Sequence, residues 1–102
     1  MKLVALPEAM AEFEEAVAYY EEQRPGLGLE FFMAIEAAVD FAAETPAAGS
    51  PLPGPDHRFR VRRYVVKRFP YLVFIAGEGA HPKIVAISHA ARRPGYWRDR
   101  LK

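Results

Sequence analysis

The nine residues from His89 to Trp97 (HAARRPGYW) hold an imidazole, two guanidinium groups and two aromatic rings. A guanidinium grips phosphate or carboxylate through paired hydrogen bonds, a ring offers a base a stacking surface, and histidine is the side chain that ordinarily titrates near neutral pH. His89, Arg92, Arg93, Tyr96 and Trp97 therefore suit contact with single-stranded RNA. A plainer reading serves the same residues: His89 closes a strand with a backbone hydrogen bond, and Trp97 packs the chain end onto the core. A second basic stretch lies upstream, where Arg58, Arg60, Arg62, Arg63, Lys67 and Arg68 fall within eleven residues.

Both stretches belong to a chain divided by charge. Residues 1–50 carry ten acidic side chains against Lys2 and Arg24, a net of −8, whereas residues 51–102 carry twelve basic ones against Asp56, Glu78 and Asp99, a net of +9. The overall +1 conceals a dipolar molecule whose basic half suits a polyanion or an acidic partner. With 102 residues, 51% of them hydrophobic, the chain fits a single domain spanning residues 1–102. The absence of cysteine excludes disulfide and thiol chemistry. No apolar run approaches the roughly 20 residues that cross a bilayer. Glu8, Glu12, Glu14 and Glu15 follow too soon for a signal peptide, so a cytoplasmic location and no membrane partner are expected. His57, His81 and His89 lack metal-ligand spacing, and Gly26 and Gly28 join two helices instead of following a strand. Neither a metal nor a cofactor is expected.

The elements that must position these residues can be read from periodicity. Lys2 to Leu6 is short and apolar, which fits a strand and equally a buried N-terminal arm. Pro7 suits the first turn of a helix and Glu8 its positive end. Met10, Phe13, Val17 and Tyr20 then recur at spacings of three and four, predicting an amphipathic helix to about Arg24. Pro25 and Gly26 break it. Leu29, Phe32, Ile35, Val39 and Ala42 predict a second helix to about Glu44, antiparallel to the first because the connection is so short. Glu36, Asp40 and Glu44 form an acidic row on its outside, either a solvated face or a surface for a basic partner. Residues 46–56, with four prolines and two glycines, are expected to lack regular structure.

Beyond them, Arg58 to Lys67, Tyr71 to Ala76 and Lys83 to His89 each read as a strand, with reversals at Phe69 and Pro70 and from Gly77 to Gly79. The fold class is α+β: an N-terminal strand and a helical hairpin packed on a small antiparallel β-sheet. Alternation places Phe59 and Val61 under the helices and Arg58, Arg60 and Arg62 on the exposed face. Arg63 interrupts that alternation, through a bulge near Arg62 and Arg63 or by sitting at the sheet margin. Tyr71 to Ala76 is apolar on both faces and is expected to be central.

In this order, EEAVAYYEEQRPGLGLEFFMAIEAAV (14–39), RRYVVKRFPYLVF (62–74) and SHAARRPGYW (88–97) make nearly the whole chain resemble the RelE/ParE toxin superfamily, in particular members described as plasmid stabilisation proteins. The resemblance implies the toxin half of a type II toxin-antitoxin pair, a growth inhibitor neutralised by a cognate antitoxin, and leaves a homodimer open. RelE-like members cleave mRNA on the ribosome, whereas ParE-like members inhibit DNA gyrase. In RelE-type cleavage the ribose 2′-hydroxyl attacks the adjacent phosphate, which requires proton transfer and positive charge on the phosphorane.

By position, the resemblance implies catalytic roles for Arg60, Arg62, His89, Arg92 and Tyr96 if the chain is an RNase. Arg58, Arg63, Lys67, Arg68, Arg93 and Trp97 are the expected contacts for a target or antitoxin. One position departs from the nuclease pattern. RelE-like nucleases carry an arginine just after the first hairpin, where Tyr71 stands here. A tyrosine donates one hydrogen bond but cannot neutralise a phosphorane; Lys67 or Arg68 would have to reach in to compensate. The leading expectation is ParE-like gyrase inhibition, the alternative a ribosome-dependent mRNA endonuclease, and the third reading a non-toxic nucleic-acid-binding module.

Overall fold

The computed structural model describes residues 3–52, 59–77 and 81–101. Helices α1 (Pro7–Gln23) and α2 (Leu27–Glu44) lie on one face of a sheet made of β1 (Val4–Ala5), β2 (Ser50–Pro51), β3 (Arg62–Val65), β4 (Tyr71–Ala76) and β5 (Lys83–His89). The strand order is β1-β5-β4-β3-β2, an antiparallel meander from β2 to β5 with β1 added parallel to β5. The α+β architecture is the one expected, and β1 makes the sheet mixed.

The helical hairpin is closed by α1 itself. Glu21 accepts hydrogen bonds from the amides of Gly26 (3.0 and 3.2 Å) and Gly28 (3.0 Å), setting a carboxylate at the positive end of α2. Gly28 also lets the helices approach, since a Cβ there would lie 2.8 Å from the Val17 carbonyl oxygen. Ala9, Phe13 and Ala16 of α1 and Phe31, Ile35, Ala38, Val39 and Ala42 of α2 pack on Tyr64, Val73, Ile75, Ile84 and Ile87. Full burial of Phe31 or Ile35 contributes about 1.5–3 kcal/mol each. Met10, Leu29 and Phe32, expected in the core stripes, are instead exposed. Helices lie close to a sheet where their contact faces are small, so alanines take the buried positions and larger side chains move to the flanks.

The proline-rich stretch carries more structure than its composition predicts. Pro46–Ala48 forms a 3-10 turn, and Ser50 and Pro51 pair with Arg63 and Arg62. Proline is tolerated because β2 is an edge strand. Residues 53–58, including Arg58, lie outside the described residues.

The expectation for the basic strand needs correction. It begins at Arg62, because Arg60 has φ 51° and turns the chain out of the extended conformation. That turn exchanges the expected faces. Phe59 and Val61 join Phe74, Val85 and Trp97 on the side away from the helices. Arg62, opposite Ile75, lies on the helix side and donates to the Gly49 carbonyl (2.7 Å). Arg63 sits in register opposite Phe74, at neither a bulge nor a margin. The bulge is in β5: Phe74 pairs with Ala86 and Ile75 with Ile84, leaving Val85 as the extra residue. Ile84 and Ile87 therefore both face the helices, while Val85 and Ala86 face the second apolar cluster. As its two apolar faces require, β4 is central.

Candidate functional site

After His89 the chain crosses the sheet face away from the helices without joining the sheet. The Ala90 amide donates to the Pro70 carbonyl (2.8 Å); beyond it, the backbone hydrogen bonds among the described residues are local turns. Two anchors hold this segment. The first is Trp97, 1% exposed, its ring centroid 5.3 Å from that of Phe74 and its Nε1 buried with no hydrogen-bond partner among the described residues.

The second anchor is the carboxylate of Glu12 on α1. It accepts from the Tyr96 hydroxyl, from both terminal nitrogens of Arg100 (2.9 and 3.1 Å) and from the Ile87 amide (3.1 Å), with Arg92 3.6 Å away. Because β1 pairs only with Lys83 and Ile84, β5 has no strand on that side further along among the described residues. Glu12 and Arg100 take its place, and Arg100 also donates to the carbonyl of the bulged Val85 (3.0 Å). Two guanidinium groups lie over the Tyr96 ring, Arg92 at 3.8 Å from its centroid and Arg100 at 5.0 Å. Burial, reinforced by the hydrogen bond to Glu12, pushes the Tyr96 phenol up to about 12. Its proton stays in place at neutral pH. The hydrogen bonds to Glu12 likewise raise the Arg100 guanidinium above its ordinary value.

The residues expected at a nuclease centre do not all meet. His89 is exposed; its Nδ1 accepts from the Ala91 amide (3.0 Å), and its ring stands edge-on to Tyr71 at 5.5 Å. In the neutral ring this places the proton on Nε2. Arg62 faces Ile75 of β4 whereas His89 faces Tyr71. That offset of four residues along β4 is roughly 13 Å in the strand direction. Arg60 lies at the turn beyond. Tyr71 is half-buried, and that burial, then Tyr20 beside it, raises its phenol. The two hairpin cations have other surroundings. Lys67 lines a groove with Phe41 and Val65. Arg68 donates to Glu30 (2.7 Å) and holds that carboxyl below the usual range.

What does gather is a basic groove on the sheet face away from the helices. Arg63, Arg92, Arg93 and Arg98 line it around Leu72 and Phe74. Arg63 and Arg93 pair with no carboxylate among the described residues. An apolar floor with a cationic rim suits an anionic surface that also carries hydrophobic side chains. His89 and Arg92 stand on the border with a second groove, lined by Glu15, Tyr19, Glu22 and Tyr71 against α1. Of the two readings of Trp97, packing of the chain end onto the core is the one its burial matches, beneath the basic groove. Among the described residues, no three His, Cys, Asp or Glu side chains converge on a possible metal position, and no helix is long and apolar enough to cross a membrane.

Glu12 and Arg100 were missed in sequence, although a signal existed. Ala9, Glu12, Phe13 and Ala16 follow the spacing of one helical face, so a carboxylate at position 12 falls on the buried side and requires cationic or N–H partners.

The family model for the ParE toxin of type II toxin-antitoxin system, parDE, matches residues 3–94. No curated protein matches the chain. Among solved structures, a chain of the chromosomal ParDE TA system from P. aeruginosa is similar, with a TM-score of 0.69 and 21% identity over 87% of this chain and 95% of that one. The structural likeness concerns the fold. The family match runs from the residue before β1 to Pro94, through both helices and every strand, and the chain belongs to the ParE toxin family of type II toxin-antitoxin systems.

Proposed function

We propose that this chain arrests growth by binding DNA gyrase, without cutting nucleic acid, and that a cognate antitoxin neutralises it. The observation that carries the reading is the commitment of the Tyr96 hydroxyl to Glu12, with its phenol pushed up to about 12. A general base must be deprotonated at working pH and within reach of the attacking hydroxyl. Tyr96 does not fit that role, Tyr71 stands where the nuclease pattern has an arginine, and Arg62 is offset from His89 along the sheet. The basic groove instead offers Arg63 and Arg93 as binding cations. An antitoxin is supported by the family and by the ParDE description of the structural neighbour. The exposed Leu29, Met33 and Phe41 of α2, at successive spacings of four and eight residues, suit an apolar antitoxin segment.

The test is to induce the protein in growing cells and recover a reporter plasmid and its mRNA together. The expected result is a relaxed plasmid with intact transcripts. Transcripts cut in frame on a normally supercoiled plasmid would replace this reading with the ribosome-dependent endonuclease. Unimpaired growth would favour the non-toxic binding module.

A further inference from the structure

The segment carrying Arg92, Arg93 and Arg98 belongs to no strand, yet it supplies most of the rim of the basic groove. Trp97 fixes how deeply the segment sits, but its buried Nε1 has no hydrogen-bond partner among the described residues, so the indole supplies no polar contact to direct the segment. Polar contacts set its direction, and those of Arg92, Tyr96 and Arg100 meet on one carboxylate. Glu12 draws on Arg92 and Tyr96 at one end of the segment and Arg100 at the other, while the Ile87 amide ties the same carboxylate to β5. Charge-assisted hydrogen bonds are short and directional, and a carboxylate accepts them along defined lone-pair directions. The Glu12 side chain is 12% exposed, so water competes weakly for these bonds.

We propose that Glu12 is a positioning residue for the basic groove: it orients Arg92 directly and, through Tyr96 and Arg100, sets which way Arg93 and Arg98 face. The inference rests on the groove being the target-binding surface. It gives the acidic first half of the chain a specific task, since one of its carboxylates shapes the basic surface made by the second half.

The test compares the whole chain with three variants. Glu12→Gln keeps an acceptor for Tyr96 but removes the charge; Glu12→Asp keeps the charge on a shorter arm; Gly28→Ala perturbs the helical hairpin away from the groove. The primary readout is the inducer level that arrests growth, with thermal midpoints measured alongside. Loss of the charge-assisted bonds should weaken the toxin about tenfold in Glu12→Gln. Glu12→Asp should recover part of that loss, and Gly28→Ala, with a comparable fall in midpoint, should stay as potent as the original chain. Equal loss of potency in Glu12→Gln and Gly28→Ala would reduce Glu12 to a stability role and overturn the proposal. If the original chain does not arrest growth, the toxin reading itself fails. The positioning claim is then decided by NMR exchange of the Arg92 and Arg100 Nη protons, the ones directed at Glu12, with emission from Trp97, the single tryptophan, as a check on the core. Exchange about tenfold faster in Glu12→Gln with unchanged emission supports it; unchanged exchange overturns it.

Discussion

Tyr96→Phe isolates the bond between the two halves of the molecule by removing one hydroxyl and leaving the ring that Arg92 and Arg100 contact. A buried hydrogen bond to a charged acceptor is worth about 1.5–3 kcal/mol. Because Tyr96 is only partly buried, solvent screening places the expected loss at the low end, about 1.5 kcal/mol. In a domain of this size that loss lowers the thermal midpoint by roughly 6–10 °C. The sign with pH follows from linkage. A folded-state pKa above the unfolded value stabilises fully below pH 10.0 and is lost as pH rises toward about 12. The gap between the original chain and Tyr96→Phe, followed by circular dichroism, should therefore stay constant from pH 7 to 9 and close above pH 10. Tyrosinate absorbance should show the component missing from the variant to be among the last to titrate. A gap below 2 °C at pH 7, or one that closes before pH 9, would refute the account of Tyr96 and reopen its use as a base.

Other expectations concern the scaffold and the groove. Gly28→Ala should cost about 1–3 kcal/mol in chemical denaturation, because its Cβ would meet the Val17 carbonyl at 2.8 Å and the capping Glu21 carboxylate at 2.9 Å. Gly49→Ala should cost about as much, since a Cβ there would lie 2.4 Å from the Tyr64 ring, which is pinned by its hydroxyl to the Pro46 carbonyl at 2.7 Å. Arg63→Glu and Arg93→Glu should leave the unfolding midpoint within about 0.5 kcal/mol of the original yet weaken gyrase inhibition at least several-fold, measured by plasmid supercoiling. Inhibition unaffected by either charge reversal would remove the basic groove from target binding.

The helices, β4 and β5 were legible because each is a continuous periodic run bounded by proline or glycine. The matching of Pro7 to the start of α1 and of Tyr71–Ala76 and Lys83–His89 to whole strands shows how far that signal reaches. The faces of β3 were not legible, because one residue with a positive φ at Arg60 inverts a period-two pattern, and an arginine carries no sequence mark of that conformation. The β5 bulge left a faint trace in the spacing of three between Ile84 and Ile87, which is apolar on both sides and so fits either register. For the site, the clustering of His89, Arg92 and Tyr96 was visible, but their division of labour was not. That division depends on Glu12, which is 75 to 88 residues away from the groups it holds. The opposing charges of the two halves pointed to separate surfaces, whereas part of that charge is joined inside the molecule.

The central claim is binding to gyrase without nucleolytic chemistry, and the most direct measurement adds purified protein to purified DNA gyrase with relaxed plasmid and ATP. The account predicts dose-dependent loss of supercoiling that an Arg93→Glu protein reproduces only at higher concentration. Full supercoiling at saturating protein, from a preparation that arrests growth when expressed, would contradict it.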